Sequence, residues 1–163
     1  MSKKVHQGVV MKFLKHDAVQ KSSSRYRDEV LKTMRQKHKT RLKLLQLIGE
    51  NRWRLSATDF DYLKTEVGLN EVAGDADGIG PWMNHVVTGK NISGDLKLTG
   101  IVTMAHHLNL KVHLYTLRAD RLPDYAETFE DLLHIFFNLV QVDGIFTDFP
   151  DRAVKYLEKT SLH

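Results

Sequence analysis

The chain has 163 residues, of which 42% are hydrophobic and 27% charged, with a net charge of +4. That is enough for one globular domain with a real core and too little for two comfortable ones. Cysteine is absent, which excludes disulfides and thiolate metal sites and leaves only oxygen or imidazole to hold any metal.

No apolar run approaches the roughly 18 residues needed to span a bilayer. Lys12, Lys15, His16 and Asp17 break up the one apolar stretch behind the basic start, Val9 to Leu14, so the sequence reads as lacking a signal peptide. Residues 1 to 22 form an irregular basic lead, and residues 23 to 163 read as one domain. Ser22-Ser23-Ser24 suits a loop that caps a helix N-terminus. From Arg25 to about Lys39 the residues are good helix formers, with Val30, Leu31 and Met34 as a narrow apolar stripe.

Positive charge concentrates on this helix. Between Lys21 and Lys43 there are nine Lys/Arg residues against Asp28 and Glu29. Such a helix could hold nucleic acid or another anionic partner, or be the solvated outer face of an α/β protein. Tyr26, between Arg25 and Arg27, is the one aromatic residue among the basic ones, short of the row of rings that stacking on nucleic acid uses.

Leu42 to Ile48 is a short, nearly continuous apolar run closed by Gly49, as expected of a strand buried on both faces. Trp53 to Asp59 is a connecting loop; Phe60–Leu63 and Leu69–Ala73 suit short helices. Ala76 to Pro81, with Gly at alternate positions, fits a very short strand ending at a loop. Val86 to Gly94 is polar and loop-like, and a helix is expected from about Leu98 to Leu108. Lys111 to Leu117 is the best strand, rich in β-branched and aromatic residues. An apolar helix follows from Phe129 to Val140, then a last strand from Val142 to Asp148, then a helix opened by Pro150 with Ala153, Val154 and Leu157 inward. Strict alternation of helix and strand argues for a parallel sheet with right-handed crossovers.

Four segments carry a more specific likeness. Val142-Asp-Gly-Ile-Phe-Thr-Asp-Phe-Pro-Asp151 is similar to the closing motif of glycerophosphodiester phosphodiesterases, and Lys111 to Asp120 resembles the preceding strand of the bacterial periplasmic type. Leu45 to Asn51 and Ala76 to Trp82 resemble further family segments, in the family's order. By this resemblance the fold is the C-terminal portion of a TIM (β/α)₈ barrel, about four parallel strand–helix units of a domain that usually takes about 250 residues.

The resemblance implies hydrolysis of a glycerophosphodiester to glycerol 3-phosphate and an alcohol. Phosphodiesters resist attack because their anionic oxygens repel nucleophiles, so cleavage needs a cation, an acid for the leaving alkoxide and a base for the attacking group. The family is expected to supply calcium or magnesium on carboxylates, with two histidines, from early His-Arg-Gly, Glu-x-Asp and His-Asp segments and a later Glu strand. None of these is legible here. His16-Asp17 is the one His-Asp pair, and it lies among lysines with no Glu-x-Asp before it. The expectation is a chain that binds no metal by itself and is inactive alone, with no catalytic residue of its own.

Pocket positions remain, because barrel sites are built at the C-terminal ends of strands. Tyr115 matches the aromatic position that lines the family pocket, or fills a barrel layer with His113 on the same face; Arg118 could pair with phosphate. Trp82 and Glu50 are further candidates, and Asp148 suits a cap for the Pro150 helix. Asp75-Ala-Asp-Gly78 resembles half a calcium loop without its downstream ligands. Two functional classes follow: a phosphodiesterase completed by a missing N-terminal half, or a non-enzymatic module that self-associates through open sheet edges or holds an anion. Relatives of this type are often periplasmic, which leaves localisation open.

Overall fold

The computed structural model describes residues 30–54 and 58–160. The expectations for Val9 to Leu14, Ser22 to Ser24, His16-Asp17 and the boundary at residue 22 lie outside the described residues. The elements run as a π-helical turn (Thr33–Lys37), β1 (Leu45–Ile48), a 3-10 turn (Asn51–Trp53), α1 (Phe60–Leu63), α2 (Glu66–Ala73), β2 (Gly78–Pro81) and a second 3-10 turn (Met83–His85). After these come β3 (Val87–Lys90), β4 (Leu96–Leu98), α3 (Ile101–His107), β5 (Lys111–Leu117), α4 (Phe129–His134), a π-helical continuation (Ile135–Leu139), β6 (Gly144–Thr147) and α5 (Pro150–Thr160). The main sheet has the strand order β1-β2-β5-β6, and a two-stranded sheet pairs β3 with β4. At least one helix separates each pair of consecutive main-sheet strands, as parallel pairing demands.

Of the described residues, 30–54, 58–80 and 103–111 form one compact unit, and 81–102 with 112–160 form another. In the first, Leu44, Ile48, Phe60, Leu63, Leu69, Val72 and Ile79 are buried. β1 alternates, with Gln46 and Ile48 buried and Leu45 and Leu47 half-buried, so the run expected to be covered on both faces is fully covered on one. Asp59 caps α1 by accepting from the Asp61 and Tyr62 amides, and Thr65 caps α2 through the Gly68 amide. That cap starts α2 at Glu66, three residues before the apolar pattern.

Asp77 ties this unit together. Its amide donates to Leu44 O at 2.9 Å and its carbonyl accepts from Lys111 N at 3.0 Å. Its carboxylate accepts from Arg35 Nη2 (2.5 Å), Lys43 Nζ (2.8 Å) and the Leu44 amide (2.9 Å). Arg35 also donates to the carbonyls of Asp75 and Thr40, and Gln36 donates to Asp75 Oδ1. The two aspartates that look like half a calcium loop are therefore engaged by the basic helix. Gly78 completes the arrangement, since a Cβ there would overlap the Lys111 carbonyl oxygen.

In the second unit β5 pairs with β6 in parallel, His113 opposite Gly144 and Leu114 opposite Ile145. The His113 ring crosses so close over Gly144 that a Cβ there would force the ring to shift. Val112, Leu114, Phe129, Leu132, Leu133 and Phe136 are buried. Thr128 opens α4 with a reciprocal capping box, its hydroxyl accepting from the Asp131 amide while Asp131 accepts from the Thr128 amide.

Two expectations are corrected in this unit. The stretch from Val86 to Gly94, read as a loop, is half of an antiparallel hairpin in which Val87 faces Leu98 and Lys90 faces Leu96. Asn91 closes it, accepting from the Asp95 amide through Oδ1 and donating its own amide to Asp95 O, both at 2.8 Å. Leu98 consequently ends a strand, and the helix begins at Ile101. The apolar helix from Phe129 changes to π geometry at Ile135.

The Asp77 network predicts a graded stability series in urea unfolding. Asp77→Asn and Arg35→Gln should each cost about 2 kcal/mol, because the partner left behind is a half-buried charge or amide. Lys37→Glu, on the exposed side of the same turn, should stay within about 0.5 kcal/mol. Burial pushes the Asp77 carboxyl up, but the Lys43, Leu44 and Arg35 hydrogen bonds outweigh it and hold the group below its ordinary 3.8. Its stabilisation is thus complete above the unfolded value and is lost as pH falls through the lower folded value. Acid titration should show Asp77→Asn losing less stability below about pH 4 than the parent chain.

Candidate functional site

β5 starts as a regular strand, with Val112 and Leu114 buried and His113 and Tyr115 half-buried on the alternate positions. Continued alternation would bury Thr116, yet Leu117 is the buried residue. The pairing shows why: Leu114 to Leu117 on β5 is matched to Ile145 to Thr147 on β6, so β5 carries one extra residue. This bulge at Tyr115-Thr116 re-aims every side chain that follows it, a device common beside active sites. The Tyr115–Thr116 peptide bond is cis.

Arg118 therefore leaves the strand toward the end of β6. Its Nε and Nη2 donate to the two carboxylate oxygens of Asp120 at 2.9 and 2.7 Å, and Nη1 donates to Asp148 Oδ2 at 2.7 Å. The Asp120 hydrogen bond and charge hold the guanidinium above its ordinary value, and Arg118 in turn holds Asp120 below its own. Asp148, expected to cap the last helix, is drawn to Arg118, while the Thr147 hydroxyl accepts the Phe149 amide at 3.0 Å. All three charged groups are substantially exposed, so the cluster orients a cation more than it stabilises the fold.

Trp82 follows the C-terminal end of β2, is half-buried and forms an isolated parallel bridge with Tyr115. Its ring meets the buried His85 edge-on, with centroids 5.6 Å apart and planes at 89°. Backbone pairing thus brings Trp82 beside Tyr115, and Arg118 follows three residues further along. Glu50 lies two residues beyond β1 in the other unit, where Arg52 Nε donates to it at 3.0 Å. The residues that sequence reading passed over are Asp120 and His85. The Arg118-Ala-Asp120 spacing could have signalled the first, whereas only the fold brings His85 to Trp82.

Helix-linked parallel strands that gather aromatic and charged groups at their C-terminal ends define a domain of the (β/α)-barrel type. The chain belongs to the glycerophosphoryl diester phosphodiesterase family, whose profile matches residues 3–152. The four-stranded sheet is a portion of that family's TIM barrel. The match reaches well before residue 42, where the recognisable segments start. The chain is 30% identical over 102 residues to a glycerophosphodiester phosphodiesterase of Treponema pallidum, covering 62% of this chain and 29% of that one. It is 30% identical over 128 residues to the Haemophilus influenzae protein of the same name, covering 72% of this chain and 35% of the relative. A third relative, glycerophosphodiester phosphodiesterase GDPD6 of Arabidopsis thaliana, is 36% identical over 87 residues, covering 52% and 23%. The matched region is about a third or less of the length of these relatives.

The family generally uses a divalent metal ion. Hard divalent cations want several convergent oxygens. Among the described residues no three His, Asp or Glu side chains converge as such an ion requires. Asp75 with Asp77, and Asp120 with Asp148 around Arg118, hold Gln36, Lys43 and arginines instead. The described residues do not fit a metal.

The loop after β5 also carries Tyr125, whose ring is buried and whose hydroxyl has no hydrogen-bond partner among the described residues. Burial pushes its phenol up to about 12. Tyr125→Phe removes a polar atom at almost constant shape, so thermal and urea unfolding should show it neutral or more stable by up to about 1 kcal/mol. A loss larger than that would mean the hydroxyl is satisfied.

Proposed function

We propose that this chain is the substrate-pocket portion of a glycerophosphodiester phosphodiesterase, an enzyme that hydrolyses glycerophosphodiesters to glycerol 3-phosphate and an alcohol. The observation that supports it is the placement of Trp82, Tyr115 and Arg118 at successive strand ends with the guanidinium held by Asp120 and Asp148. Those three bonds use three of the five N–H donors of an arginine, and the others can address a phosphoryl oxygen. The aromatic rings supply apolar surface for the glycerol carbons.

In this reading the calcium or magnesium and the proton-transfer groups are supplied by residues other than the described ones. The described part binds and orients; it does not cleave. With calcium or magnesium present, this chain should turn over glycerophosphocholine no faster than buffer. Glycerol 3-phosphate should still bind in calorimetry, and Arg118→Gln should weaken it at least about tenfold, equivalent to about 1.4 kcal/mol. Turnover by the chain alone would overturn the division of labour. Unchanged binding by Arg118→Gln would overturn the pocket.

Association belongs to the same reading. A closed barrel of this type has eight strands, and the described sheet has four, with β6 at one end and all four of its residues only half-buried. An end strand offers unpaired backbone groups to another chain. Light scattering should give a mass above the 18.8 kDa of one copy, and a stable monomer would count against this.

A further inference from the structure

We propose that His85, clamped by the root of the β3–β4 hairpin, is a positioning residue that fixes the Trp82 ring for ligand contact. The inference rests on the pocket reading above and adds the device that holds one of its walls.

Trp82 stands just outside β2, where a large side chain would ordinarily sample several rotamers. Two constraints remove that freedom. The first is the tight turn behind it: His85 N donates to Trp82 O at 2.8 Å and Val86 N to Met83 O at 3.0 Å. The second is the edge-on contact of the His85 ring, which at 5.6 Å and 89° has the geometry that aromatic quadrupoles favour. A solvent-exposed imidazole would be a poor support, but His85 is only 6% exposed.

The hairpin root explains why His85 stays there. Thr99 follows β4 and reaches back across the hairpin. Its Oγ1 donates to His85 O at 2.6 Å and its amide donates to Val86 O at 3.1 Å. Val86 and Val87 are buried beneath this clasp. The β3–β4 hairpin thus supports the turn carrying His85, and through it Trp82, the bridge partner of Tyr115. His85 touches no reacting group in this scheme; it acts through Trp82.

The test uses the full chain with Trp53→Phe as background, so that Trp82 is the one tryptophan, with glycerol 3-phosphate as probe. His85→Ala should flatten the near-ultraviolet dichroism of Trp82 and weaken binding at least fivefold while far-ultraviolet dichroism stays intact. His85→Phe, which keeps a ring edge, should restore both to within twofold. If His85→Ala fails to fold, Thr99→Val tests the same device, and it should weaken binding and diminish the Trp82 signal. Parent-like binding by a folded His85→Ala chain, or by Thr99→Val where His85→Ala does not fold, overturns the proposal, as does a His85→Phe chain no better than His85→Ala. Trp82→Ala separates the two levels. If it weakens binding while His85→Ala does not, the positioning role alone fails; if it leaves binding unchanged, the pocket reading fails with it.

Discussion

A single carboxylate organises the first compact unit. Asp77 sits just before a very short strand whose glycines contribute no side-chain packing, and its hydrogen bonds compensate. Through its backbone it pairs with Leu44 and Lys111, and through its side chain it accepts Arg35, Lys43 and the Leu44 amide. A charge in that half-buried position is tolerable only because cations and an amide N–H surround it. The basic helix, the start of β1 and the approach to β5 are all referred to this one residue.

The same pairing of charge with fold reappears in the second unit, with a different outcome. Arg118 and its two aspartates are exposed, so their mutual attraction contributes little to folding. What they hold is direction. The bulge in β5 turns the chain, the arginine leaves the sheet toward Asp148, and the Trp82–Tyr115 bridge pairs the backbones of two aromatic residues. The half-buried carboxylate network stabilises and the exposed one orients, and this protein uses both.

Much of the architecture is visible in the order of residues. The run Lys111 to Leu117 is a strand because β-branched and aromatic residues suit a pleated, half-buried surface, and it forms with those boundaries. The hairpin is not visible in the same way. Val87-Thr-Gly-Lys and Leu-Lys-Leu98 are short, largely exposed and separated by Asn, Ser and Gly, which are turn formers whether or not strands flank them. Its strand pairing depends on the Asn91–Asp95 closure and the Thr99 clasp, and neither shows in periodicity.

The amino-acid order by itself determined the alternation of helix and strand, the family segments and the positions of Trp82, Tyr115 and Arg118 at strand ends, because hydrophobic period and turn chemistry are local properties. Tertiary structure alone decided what those side chains face. Arg35 meets Asp77 across 42 residues of chain and Arg118 meets Asp148 across 30. An inserted residue in β5 turns each later side chain to the opposite face, and it leaves no mark in a pattern that looks regular from Lys111 to Leu117. Local chemistry chooses the element, but a charge finds its partner only when the chain has closed in space.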